Sequence, residues 1–169
     1  MAQRDESAFE AFVATRSDDL LRTAVLLTSD RGQAEDLLQT ALVKAYRHWH
    51  RITGPDPYPY VRRILVTTAA SWRRRRATQE IVSLPPTDLA GPDETDDVAE
   101  RQRMTDALAQ LPPRMRAVLV LRYAEDLSEA VTAEALGCSI ATVKSQTARG
   151  LARLRALLGA DAAVVLEER

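Results

Sequence analysis

The sequence predicts an all-α protein made of two small helical domains joined by a flexible, acidic, Pro-rich linker. Three observations carry this. Apolar residues recur at helical spacing over long stretches, Ala and Leu dominate, and the alternation expected of strands is scarce. Proline clusters at 55–59 and 85–92 interrupt the helical pattern. Charge is segregated around the second break. Residues 57–79 carry six arginines and no acid, whereas residues 80–100 carry Glu80, Asp88, Asp93, Glu94, Asp96, Asp97 and Glu100 and no base.

In chain order, Phe9, Phe12, Val13, Leu20, Leu21 and Val25 predict a first helix over about 6–28. "SDRG" at 29–32 breaks it. A second helix is expected over 33–49, with Ala34, Leu37, Leu38, Ala41, Leu42, Ala45 and Trp49 on one face and Glu35, Gln39 and Lys44 on the other. "TGPDPYP" at 53–59 is a loop, since its prolines remove donors and clash in a helix interior. A third helix follows over about 59–77 and ends in "WRRRR". The segment 80–97 has little to bury and reads as an extended linker. The second domain opens with a helix over 98–111, and Pro112 and Pro113 suit a loop and the first turn of the next helix. Ser128 is placed to cap a helix ending at Leu136, Gly137 to make the turn, and Ser139 to cap a last helix over 140–158. The expected domains are thus 1–79 and 98–158, with a tail at 159–169.

Bulk composition narrows the function classes. The 169 residues are 46% hydrophobic and 28% charged, as in ordinary globular proteins, and the net charge of −1 argues against indiscriminate nucleic-acid binding by the whole chain. Cys138 is the only cysteine, which excludes an intrachain disulfide and a Cys cluster for zinc. No apolar run reaches the length of a membrane span and the first residues lack an apolar signal core, so a cytoplasmic location is expected. No cofactor is expected, and neither is enzymatic activity. His48 and His50 point to different sides of a helix, Glu35 and Asp36 have no His or Cys company, and Ser139 and Ser145 lack a nearby base.

The segment 127–155, "LSEAVTAEALGCSIATVKSQTARGLARLR", holds two helical patterns hinged at "GCS". At 100° per residue, Ile140, Val143, Thr147, Leu151, Leu154 and Leu158 fall on one face of the last helix, while Thr142, Ser145, Gln146, Arg149 and Arg153 fall on the other. The first face can seal against preceding helices. The second offers Gln and Arg for base edges and Thr, Ser and Lys for phosphates, as a recognition helix requires. The short turn fits helix-turn-helix geometry.

Three segments together resemble extracytoplasmic-function (ECF) sigma factors of the sigma-70 family, with the actinobacterial sigma-E-type subgroup most similar. "AEDLLQTALVKAYRHW" at 34–49 is similar to their core-binding helix. "YVRRILVTTAASWRRRR" at 60–76 is similar to their −10-recognition helix, and "LPPRMRAVLVLRYAEDLSEAVTAEALGCSIATVKSQTARGLARLR" at 111–155 to their region 4. The resemblance implies a sigma-2 domain that docks on the clamp of core RNA polymerase and opens the −10 element. It also implies a sigma-4 domain that sits on the flap and reads the −35 element. Promoter DNA and core polymerase are the implied partners, and an anti-sigma factor is a further partner known in the family.

Carried over by position, Glu35, Asp36, Leu38 and Gln39 fall in the clamp-docking helix. Residues 52–60 fall where the family captures a flipped base, with Tyr58 and Tyr60 as stacking surfaces. Arg62, Arg63 and Thr67 fall on the −10 helix, with Arg73, Arg74, Arg75 and Arg76 near the DNA backbone. Thr142, Lys144, Ser145, Gln146, Arg149 and Arg153 fall in the −35 helix. Two positions depart from many relatives: Thr67 stands where Asn is common, and Gln146 where Arg is common in the broader family. Gln suits adenine as a bidentate partner more than guanine. The rival reading is a stand-alone helix-turn-helix regulator that binds an operator as a dimer.

Overall fold

The computed structural model describes residues 2–52, 54–78 and 96–159. Among these residues the regular structure is entirely helical. The elements are α1 (Ala2–Thr28), α2 (Arg31–Arg47), a 3₁₀ turn (Trp49–Arg51), α3 (Tyr58–Thr78), α4 (Asp96–Ala109), α5 (Pro113–Leu119), a π turn (Val120–Ala124), α6 (Glu129–Leu136) and α7 (Ile140–Leu158). The expected linker lies outside the described residues up to position 95, and the tail lies outside them from 160 on.

The break between α1 and α2 is shorter than "SDRG" suggests. Asp30 is the N-cap, its carboxylate accepting from Gln33 N at 2.7 Å, so Arg31 and Gly32 are already helical. Ser29 takes φ 57° and ends α1. The Pro-rich loop is also shorter than expected. α3 begins at Tyr58, whose N–H donates to the Asp56 carboxylate, and Pro59 sits in the first helical turn, where a missing N–H costs nothing. Tyr58, expected in the loop, therefore stands on the helix together with Tyr60.

Two apolar clusters hold these elements. The first joins α1, α2 and α3 through Phe12, Leu20, Leu37, Ala41, Trp49, Val61 and Leu65. Each large side chain buried there contributes about 1.5–3 kcal/mol. The second joins α4, α5 and α7 through Leu108, Leu111, Met115, Leu119, Leu151 and Leu154, and Leu26 and Leu27 of α1 pack against it. A small third group, Val118, Ala133 and Val143, seats α6 on α5 and α7. α7 passes close to α5 because position 150 is glycine: a Cβ there would lie 2.8 Å from Leu119 Cδ1. Ile140, expected on the sealed face, is 45% exposed because it occupies the first turn of α7, beyond the cluster.

The chain after α5 turns through a widened helical turn. Glu125 N donates to Val120 O, five residues back, and Leu127 N to Leu121 O. This π turn ends α5 and points Glu125 toward α1 and α3, where Thr23, Tyr58 and Arg62 meet it.

Candidate nucleic-acid interface

The helix-turn-helix forms as its caps require. Ser128 Oγ accepts from Val131 N at 3.2 Å, Gly137 closes α6 at φ 62°, and Ser139 Oγ accepts from Thr142 N at 3.1 Å. Val143, Gly150, Leu151 and Leu154 are buried, which turns the opposite side of α7 to solvent. Ser145, Arg149 and Arg153 are exposed there, with Thr142 and Gln146 half-buried at its edge. The Thr142 hydroxyl pairs with the Ser139 cap at 2.9 Å, and Ser145 Oγ donates to Thr142 O. Lys144 stands apart, on the flank facing α6, its Nζ 3.8 Å from Glu129.

α3 carries the second set. Val61 and Leu65 are buried in the first apolar cluster and Val66 and Thr68 are buried too, which leaves Arg63 and Thr67 exposed and Arg62 half-buried. The Thr67 hydroxyl donates to its own helix, to Arg63 O at 2.9 Å, so it meets an incoming base as an acceptor. Arg75 is exposed, Arg73 is half-buried, and the side chains of Arg74 and Arg76 lie outside the described part. Tyr58 is not a free stacking surface. Its ring lies beneath the guanidiniums of Arg16 and Arg62, at 5.0 and 5.6 Å, and its hydroxyl donates to Glu125. Burial, then the Glu125 and Asp19 carboxylates, push its phenol up to about 12.

Tyr60 is open to solvent and helps line a pocket of about 280 Å³ between α2 and α3, with Lys44, His48, Ile64, Thr67 and Thr68. Lys44 Nζ donates to Thr68 Oγ1 at 3.1 Å across its floor. Sequence reasoning assigned Tyr60 and Thr67 to this region but missed Lys44, His48 and Thr68. Lys44 and His48 are four apart on a helix, a spacing that puts them on one side, but nothing local says that α3 lies opposite.

α2 presents Glu35, Asp36 and Gln39 to solvent, and Glu35 pairs with Arg31 at 3.0 Å. Leu38 differs: it packs on the first apolar cluster. The exposed stripe continues instead through Val43 and Tyr46, two large apolar side chains about half exposed. Helical periodicity places both in line with Asp36 and Gln39, a signal the sequence did contain.

Among the described residues no group of three or more His, Cys, Asp or Glu side chains could hold a metal, and no helix is long and apolar enough to cross a membrane.

Comparison with known proteins agrees with this geometry. Residues 12–79 match the family model for sigma-70 region 2, and residues 101–154 that for sigma-70, region 4. The RNA polymerase sigma-E factor of Streptomyces avermitilis is 42% identical over 156 residues, spanning 92% of this chain and 87% of the relative. The ECF RNA polymerase sigma factor SigL of Mycobacterium tuberculosis is 35% identical over 149 residues, with 82% of each chain covered. Among solved structures, the sigma factor RpoE in complex with the anti-sigma factor NepR from Bartonella quintana superposes with a TM-score of 0.73 at 27% identity, covering 91% of this chain and 98% of that one. CnrH in complex with the cytosolic domain of CnrY gives 0.64 at 25%, covering 95% and 93%. A helix-turn-helix alone would have left an operator-binding regulator in contention, but region 2 is a module such a regulator does not need. The chain belongs to the sigma-70 family of RNA polymerase sigma factors, in the extracytoplasmic-function group and its sigma-E-type subgroup.

Proposed function

We propose that the two bundles divide promoter recognition between them, residues 1–79 acting as the sigma-2 domain and 98–158 as the sigma-4 domain. The observation that carries this is the outward row on α7, where Ser145, Arg149 and Arg153 stand clear of the core with Gln146 and Thr142 beside them. This row enters the major groove of the −35 element, with Gln146 and Arg149 on base edges and Thr142, Ser145 and Arg153 on phosphates. Lys144 reaches a phosphate from the flank.

On α3, Arg62, Arg63 and the run Arg73, Arg74, Arg75 and Arg76 neutralise the −10 backbone. The pocket under Tyr60 and Thr67 takes one unstacked base, with Lys44 and His48 as donors and Tyr60 as the stacking face. Tyr58 acts as a brace for Arg62. Binding energy collected along both helices offsets the cost of unstacking, a few kcal/mol per base step. The mechanism uses no bond chemistry. Glu35, Asp36 and Gln39, joined by Val43 and Tyr46, dock α2 on core polymerase, an apolar centre within a polar rim. The solved sigma factor RpoE, bound to the anti-sigma factor NepR, makes an anti-sigma factor a natural regulator for this chain too.

Run-off transcription on random promoter sequences, with actinobacterial core polymerase, tests the reading. Transcripts that depend on this protein and share two motifs are expected. The Gln146→Arg variant should change only the upstream motif, and Thr67→Asn only the downstream one. Loss of promoter selection without either motif responding would overturn the residue assignments.

A further inference from the structure

We propose that Glu129 on α6 is a positioning residue for −35 discrimination, guiding the Lys144 ammonium of α7 toward one phosphate and denying it to DNA seated out of register. The inference rests on the assignment of α7 to the −35 element. Lys144 Nζ lies 3.8 Å from Glu129 Oε2, with the two side chains 64% and 36% exposed. Arg149 and Arg153, the other cations that α7 gives to this element, have no carboxylate within 4.0 Å among the described residues. The pairing follows from the turn of the motif. Glu129 stands in the first turn of α6, where a helix dipole favours a carboxylate. Left-handed Gly137, the Cys138 N–H donating to Ala133 O at 3.0 Å, and the Ser139 cap set the angle between α6 and α7. Val118, Ala133 and Val143 hold the two helices in register from inside. A carboxylate on one helix and an ammonium on the other are thus brought together by the same turn that makes the motif.

An exposed pair of this kind adds little stability. Its effect is on DNA. Non-specific binding is nearly all attraction between cations and phosphates, so a lysine already neutralised contributes little to it. A −35 duplex seated in register brings a phosphate to the Lys144 flank. The ammonium has three donors, enough to keep Glu129 and take the phosphate as well. There the carboxylate acts as a guide, confining a long stem whose ordering otherwise costs rotamer entropy. Glu129 therefore lowers affinity for wrong sites more than for the right one, and it is the ratio of the two that selects a promoter.

The test uses the holoenzyme formed with actinobacterial core polymerase and two fluorescent duplexes. One carries the motifs selected in run-off transcription, and the other has its upstream motif scrambled. Affinity for both is measured across a salt series. Glu129→Gln should tighten binding to the scrambled duplex about fivefold and change the matched one by less than about twofold. The salt slope on the scrambled duplex should steepen by about 0.9, the value of one added phosphate contact. Glu129→Asp, which keeps the charge, should keep the parent slope. In a Lys144→Met background, Glu129→Gln should leave the ratio of affinities unchanged, since relief of repulsion then acts on both duplexes alike. An unchanged ratio in Glu129→Gln overturns the proposal, as does equal tightening on both duplexes or a fall in the ratio that persists without Lys144. Arg149→Ala separates this from the reading beneath it. If Arg149→Ala lowers the ratio and Glu129→Gln does not, α7 reads DNA and only the role of Glu129 falls; if neither lowers it, the assignment of α7 falls as well.

Discussion

Arg116 is a sharp place to perturb this molecule, because a buried guanidinium there has no carboxylate partner among the described residues. It is 9% exposed, and burial lowers its pKa below the ordinary guanidinium range. Its charge is carried instead by carbonyls: Nε donates to Leu108 O at 2.8 Å, and Nη2 to Ala109 O at 2.9 Å and Leu111 O at 3.3 Å. Nη1 reaches across to α1, to Leu27 O at 3.3 Å and Ser29 Oγ at 3.1 Å. Four of the acceptors are carbonyls at or just beyond the C-terminal ends of α4 and α1, where a helix dipole favours a cation, and the fifth is the Ser29 hydroxyl. Arg116→Met keeps most of the apolar stem and removes all five bonds. Stranding buried partners of a charged donor costs about 3–5 kcal/mol. Relief of the guanidinium's desolvation returns part of it, so a net loss of about 2–4 kcal/mol is expected. With a urea slope of about 2 kcal/mol per molar, the midpoint falls by about 1–2 M. Arg116→Lys offers three donors in place of five and should lose about half as much. Both tryptophans, Trp49 and Trp72, pack in the first cluster, so fluorescence follows that bundle while far-UV circular dichroism follows both. The dichroism midpoint should fall further than the fluorescence midpoint, since three of the five bonds lie within the second bundle. Equal midpoints for Arg116→Met and the parent, by both probes, would refute the reasoning.

Two further outcomes follow from buried polar groups. Thr132 is fully buried on α6 and its hydroxyl has no hydrogen-bond partner among the described residues, so Thr132→Val, nearly isosteric, should raise stability by about 1 kcal/mol in urea unfolding; a loss would show that the hydroxyl is satisfied in solution. Tyr58 titrates at about 12 in the folded chain against 10 unfolded, so its contribution to stability is complete below pH 10 and disappears as pH rises toward 12. In the absorbance titration difference between the parent and Tyr58→Phe, the Tyr58 phenol should ionise late, and Glu125→Gln should bring it part of the way back toward 10, since burial remains the larger cause; a Tyr58 phenol ionising near 10 in the parent would contradict its burial beside Glu125.

What the sequence determined by itself is what neighbours in the chain can decide. Ser128, Gly137 and Ser139 set the helix-turn-helix because a cap or a left-handed residue acts within four positions. The apolar faces of α2 and α7 follow from periodicity, and so do their exposed polar rows. Asp30 could have been read as a cap from the same rules, and Val43 and Tyr46 as surface from the same wheel. Ile140 was misplaced because periodicity gives direction around a helix but not where the neighbouring helix ends. Only tertiary structure could decide the rest. The pocket over Lys44 and His48 exists because α3 crosses α2 there. Gly150 matters because Leu119 is 2.8 Å from where a Cβ would stand. Arg116 and Glu125 meet partners 87 or more positions away on α1, so their roles depend on how two helical bundles, each specified locally, come to rest against one another.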